Sequence, residues 1–374
     1  VSAGSLTITD SVASTAVTFN GDLTLTTGMT VSAGNAYNVA INGTTNTIAG
    51  ATTFANTGTL ALGNGSDTIN FTGGVVATAP SAITVNGTVT AAGTGVITLG
   101  DSNTAVTIGG TSTIGGTSTG QITTGAIALN NSLTVGATAA TPITLTTVTG
   151  PSSGSANLTI NTAGVVAVGG AVGTNVGTLT ITNSGGTTFS GTVAATTVTL
   201  TNTTGSIIFN DALTATTLNT AAQGYNVELN GSTGTITNAV TFSNTGALAL
   251  GASGGTLTFN GGLTATAPSA STLKGTITSS NDAMSFGPIT LGANTTLNTV
   301  ATTNVADLSI GAVTGATYNL TLRTGAVSGA TITGTSTSGV GTLTITNSGG
   351  TTFSGAVSAG SLTITDSVAS TAVT

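Results

Sequence analysis

The chain is 374 residues long and carries a net charge of −7, with 3% charged residues, 38% hydrophobic residues and no histidine, cysteine or tryptophan. Its two cations, Lys274 and Arg323, leave no electrostatic footprint for nucleic acid or an anionic membrane surface, and the missing imidazole and thiol remove the commonest catalytic bases and nucleophiles. The apolar content is Val, Ile, Leu and Ala, which sets the chain apart from disordered low-complexity sequences, and no apolar run approaches the roughly 18 residues of a membrane helix.

In chain order, the first feature is also the last. Residues 1–18, VSAGSLTITDSVASTAVT, return without a mismatch as residues 357–374, a spacing of 356 residues. This predicts a tandem repeat, with the chain beginning and ending inside a repeating unit. Next comes FNGDL at Phe19, then YNVAINGTTNTIAGATTFANTGTLALG over residues 37–63, which recurs with few changes over 225–251. The same offset holds through ATAPSA at 77–82 and 265–270. Further on, VGTLTITNSGGTTFSG occupies 176–191 and again 340–355. The expectation is one continuous solenoid over 1–374, slightly more than one 356-residue unit. It would comprise homologous halves at 1–175 and 176–339, with 340–374 opening the next unit.

Segments such as LTIT, LTLTT, ITVNGTVT and ITLTTVT alternate apolar with hydroxyl residues at period two and end in NG, GG or TNT turns. That is the strand signature, and no stretch holds a helical period, so almost no helix is predicted. Phenylalanine marks a recurring corner at Phe19, Phe71, Phe189, Phe209, Phe259 and Phe353. The steps from Phe54 to Phe71 and from Phe189 to Phe209 predict an all-β parallel solenoid with roughly 17–22 residues per coil. Stacked coils would place like residues in ladders, which rationalises the near absence of charge.

These Thr-, Gly- and Asn-rich strand repeats resemble the passenger regions of autotransporters and filamentous-haemagglutinin-type exoproteins, the giant bacterial β-strand-repeat adhesins. The resemblance covers the whole chain. It implies a right-handed parallel β-helix, secretion by a Gram-negative route and a place at the cell surface or in an extracellular matrix.

Sites are sparse. The acids lie tens of residues apart and mostly at turns, Asp22 and Asp211 at corresponding corners, so no enzyme is expected. LGNGSDTIN over 62–70 resembles a calcium-binding nonapeptide, which makes Asp67 the one candidate metal ligand and calcium the one candidate cofactor; the matching segment at 250–258 has Gly255 instead. Thr-x-Thr pairs, among them Thr88/Thr90, Thr276/Thr278, Thr344/Thr346 and Thr363/Thr365, suggest an ice-binding face. Coils of unequal length are expected to throw such pairs out of line. The phenylalanines read as core, with Tyr37, Tyr225 and Tyr318 as candidates for exposed aromatics.

The function these features predict is a structural segment of a giant secreted or cell-surface fibre, a stalk, sheath or matrix filament serving adhesion or biofilm scaffolding. The alternatives are a glycan- or partner-binding adhesin module and an ice-binding solenoid. Expected partners are the chain itself, as tandem units or laterally packed rods, together with surface glycans or other cells. Nucleic acid and membrane insertion are not expected.

Overall fold

The period-two pattern becomes strands whose inward residues are buried and whose outward residues meet solvent. Strand Ser271–Ser279 shows it without interruption, buried and half-buried residues alternating along STLKGTITS. A computed structural model describes all residues except Thr138, Asp366, Ser367, Ala369 and Ser370. Thirty-eight strands and no helix occur among the described residues, and every resolved ladder between strands is parallel.

The chain divides into two compact units, Val1–Thr196 and Thr197–Thr374. Each is a parallel β-solenoid. In the first, Asn46, Ile69, Val89, Ile114, Val135, Ile160 and Ile181 stack in one interior ladder. All seven are essentially inaccessible. In the second, Leu257, Ile277, Leu297, Leu322 and Ile345 form the corresponding column. Branched aliphatic side chains suit such columns, because each packs against its own kind one strand spacing, about 4.8 Å, above and below.

The coils reach beyond the length that the phenylalanine spacing suggests. A short coil carries Ser271 to its register partner Ile289, and a long one carries Ile97 to Ile122. The step from Phe54 to Phe71 is not one coil, because the two residues stand on different faces. Phe54 stacks on Val31 and Phe71 on Ile48. Their rings meet across the interior edge to face, centroids 6.0 Å apart at 89°. The second unit repeats the contact between Phe242 and Phe259 at 6.1 Å and 78°.

Length differences are absorbed at corners. Opposite the single residue Asn86, strand Thr59–Phe71 carries residues 63–66, between Leu62 on Val85 and Asp67 on Gly87. Gly63 turns this corner at φ +84°, where a Cβ would lie 2.2 Å from the Asn86 carbonyl. Gly251 does the same at φ +86°, with the Lys274 carbonyl 2.2 Å from where its Cβ would be. No L side chain fits either position.

Two of the three tyrosines belong to the core. Tyr37 and Tyr225 are 0% and 1% exposed, against 39% for Tyr318. Burial is tolerated because each hydroxyl finds a backbone carbonyl: Tyr37 donates to Ser32 O at 2.7 Å and Tyr225 to Leu200 O at 2.8 Å.

Phe71→Ala and Phe259→Ala each remove a buried ring and its edge-to-face contact with Phe54 or Phe242. Each is expected to cost about 3–5 kcal/mol, read as a lowered denaturant midpoint of the purified chain, with Phe→Leu at the same sites costing clearly less. Equal midpoints for the Ala variants and the parent would refute the core placement.

Candidate functional site

The outward positions beside the interior ladders form columns of their own. In the first unit Thr45, Thr68, Thr88, Thr113, Thr134, Thr159 and Thr180 stack in unbroken register. In the second unit Thr233, Thr256, Thr276, Thr296, Thr321, Thr344 and Thr363 do likewise. Two residues along each of those strands runs a companion column: Thr235, Thr258, Thr278, Asn298, Arg323, Thr346 and Thr365. The face is a grid of hydroxyls spaced about 4.8 Å between coils and about 6.6 Å along a strand, interrupted in the companion column by Asn298 and Arg323. The pairs stay in line although coil length varies, because extra residues enter at corners and leave strand register untouched. Sequence spacing alone points the other way.

Corners carry the next polar layer. A side-chain oxygen on one coil accepts the backbone N–H of the next. Asn38 takes Thr59 N at 2.8 Å and Asn157 takes Thr178 N at 2.8 Å in the first unit. Asn226 takes Ala247 N at 2.8 Å, Asn294 takes Asn319 N at 2.9 Å and Asn319 takes Thr342 N at 2.8 Å in the second. Acids do the same work: Asp22 accepts from Thr45 N at 3.0 Å and Asp307 from Thr331 N at 2.7 Å. Asp211, at the corner corresponding to that of Asp22, caps its own turn instead, taking Ala212 N at 2.7 Å. Asp366 lies outside the described residues.

Asp67 sits at the foot of the 63–66 bulge, 7% exposed, with Oδ2 accepting Asn64 N at 2.8 Å. The bond reaches back three residues and pins the loop of the bulge onto its foot. Among the described residues no group of three or more His, Cys, Asp or Glu side chains gathers that could hold a metal ion.

Period-two patterning did not single out a set of buried hydroxyls. In the first unit Thr162 donates to Thr141 O at 2.6 Å, and Thr141 in turn donates to Ser118 O. In the second, Thr299 donates to Ala306 O at 2.6 Å and Thr324 O at 3.2 Å, while Thr324 donates to Ala330 O at 2.7 Å. All four threonines are at most 3% exposed. The signal was present in the sequence. Each of Ile160/Thr162, Leu297/Thr299 and Leu322/Thr324 places a threonine two residues past a ladder residue, hence also inward.

An open polar groove of about 480 Å³ borders the threonine face of the second unit, lined by Ser253, Thr276, Asn294, Thr296, Asn319 and Thr321. Its chemistry is neutral hydrogen bonding. Compared with known proteins, the chain matches no family model, no curated protein and no solved structure. The architecture is nevertheless compatible with passenger-type adhesin repeats, since both are stacked parallel coils.

The buried tyrosines give the fold an alkaline limit. Burial pushes the Tyr225 phenol up to about 12, partly offset by the hydrogen bond it accepts from Ala221 N. Tyr37 is also raised above the ordinary value of 10.0, by burial first and the charge of Asp10 second. A phenol raised in the folded state stabilises it fully below the unfolded value and loses that contribution as pH climbs through the folded one. Stability is therefore expected to fall from pH about 10 towards 12, with a phenolate absorbance step near the upper end that Tyr225→Phe removes. A single simple titration of all three tyrosines near pH 10 would contradict this.

Proposed function

We propose that this chain is a structural repeat segment of a secreted or cell-surface fibre: a stalk, sheath or matrix filament that holds cells to a surface or to one another. The observation that carries the reading is the continuity of the interior and exterior columns through each unit, combined with a sequence that repeats after 356 residues. Repeats of this kind add length without adding a new fold, because each coil contacts only its neighbours.

Several features suit a load-bearing or weathered element. Lys274 and Arg323, the two trypsin sites, lie within strands Ser271–Ser279 and Leu320–Gly325, whose backbones are committed to ladders. Nearly charge-free flanks oppose lateral packing of rods only weakly. Tandem or laterally packed copies of the chain are thus the first partners, with surface glycans next. The compatibility with passenger-type repeats supports export from a Gram-negative bacterium.

Electron diffraction of the native material is expected to show a meridional spacing of about 4.8 Å along a thin continuous rod. Discrete globular particles without that spacing would end the fibre reading.

The aligned threonine grid favours one second reading, a face that orders water and binds ice. Under it the purified chain shapes growing ice crystals, and the double substitution Thr296→Lys with Thr321→Lys, at half-exposed positions in the middle of the grid, abolishes the effect without unfolding the chain. An unmodified chain that leaves ice growth unchanged would dismiss it.

A further inference from the structure

Asparagine followed by glycine occurs at Asn20, Asn42, Asn64, Asn86, Asn230 and Asn260. At four of these positions the glycine is held hard against the neighbouring coil. A Cβ would lie 2.7 Å from the Asp22 Cα at Gly43, 2.4 Å from the Asp67 carbonyl oxygen at Gly87, 2.7 Å from the Asp211 carbonyl oxygen at Gly231 and 2.4 Å from Ala239 N at Gly261. Gly87 also donates its N–H to the buried Ser112 hydroxyl at 3.2 Å. Asn20–Gly21 stands on the first coil, where openness reflects only where the sequence starts.

Asn64–Gly65 is different. Both residues lie within 63–66, the bulge that the ladder register passes over between Leu62 and Asp67. Asn64 is exposed, a Cβ at Gly65 would meet nothing within 4 Å, and the φ of Gly65 lies outside the left-handed region. Neither space nor backbone demands a glycine there. The Asn64 N–H is tied to Asp67 Oδ2 at 2.8 Å. A turn about the Asn64 Cα–C bond leaves that tie in place and swings the Gly65 nitrogen towards the Asn64 side chain. Glycine absorbs the turn because its φ is free, and no register pair of the ladder has to break.

We propose that Asn64 is a site of spontaneous modification, deamidated through its Gly65 neighbour. The Gly65 amide nitrogen gives up its proton to hydroxide and attacks Asn64 Cγ. A C–N bond forms, the Cγ–Nδ2 bond breaks, and Nδ2 takes a proton from water and leaves as ammonia, closing a five-membered succinimide. Water then opens the ring at either carbonyl to give aspartate or isoaspartate. The sum is one water consumed and one ammonia released, with nothing oxidised or reduced. The new carboxylate stands three residues from Asp67, in a bulge that the second half cannot match, because Ala252 and Ser253 occupy the corresponding positions. A tandem array would gain one negative charge per 356-residue unit, on flanks that otherwise repel little. The reaction needs no second copy and is independent of the fibre reading.

To test it, the folded chain is aged in mildly alkaline buffer and cut before aspartate, which yields residues 22–66 and 67–100. Mass spectrometry is expected to find the amide-to-acid mass shift at Asn64 first. It should be split between an aspartyl form, newly cut before residue 64, and an isoaspartyl form that resists the cut. Asn86, on the second peptide, reacts only when its strand opens and is expected to lag by about tenfold or more. In urea the two sites should react at similar rates. Gly65→Ala fits the open space without left-handed strain, and should slow the shift at Asn64 severalfold while leaving the melting of the fold unchanged. No shift at Asn64, equal rates at Asn64 and Asn86 in the folded chain, a lead for Asn64 that persists undiminished in urea, or an unchanged rate in Gly65→Ala would overturn the proposal.

Discussion

The parallel hydrogen-bonded ladder between coils governs everything else in this molecule. A ladder in register puts each side chain about 4.8 Å from the residue at the same place on the next coil. What a residue touches is therefore a residue of its own kind, provided the sequence repeats. Aliphatic groups and hydroxyls tolerate that company, and like charges do not. The 3% charge content and the stacks of Ile, Val and Thr are two consequences of one spacing.

The same constraint decides where polarity is allowed inside. A buried hydroxyl costs free energy unless it is hydrogen-bonded, and a coil corner offers carbonyls from its own turn and from the neighbouring coil. Thr162 and Thr299 use such carbonyls, and Asn46 is held the same way, its amide donating to Gly43 O at 2.5 Å while its Oδ1 accepts Leu23 N at 3.0 Å. On the outer corners Asn and Asp both serve as acceptors, because the next N–H asks only for an oxygen at the right distance. The scattered acids thereby find an ordinary structural use.

The two halves show which details the architecture holds constant. The edge-to-face phenylalanine pair, the buried tyrosine, the glycine corner and the capping asparagine, Asn38 in one half and Asn226 in the other, all return at the same offset, although the tyrosine finds its carbonyl on its own coil in one half, Ser32 O, and 25 residues back in the other, Leu200 O. Where the halves diverge, as at Asp67 and Gly255, the difference sits in a corner that closes with or without a carboxylate.

The fold class was legible because period-two alternation is a local property, and so was the repeat. Coil length was read short, because the stretch from Phe54 to Phe71 measures a step between faces, which only the register of Phe54 on Val31 and Phe71 on Ile48 reveals. Tyr37 and Tyr225 became core residues for a similar reason: a phenol can be buried only if a carbonyl waits for it, and that carbonyl is brought to it by the folding of the coil. The threonine grid needed tertiary structure most. Its members are visible as Thr-x-Thr pairs, but alignment across coils of unequal length depends on extra residues entering corners rather than strands, as at 63–66. By itself the sequence determined composition, period and repeat, and hence a stacked parallel architecture. The tertiary structure alone decided register, because register is set by hydrogen bonds between residues far apart in the chain.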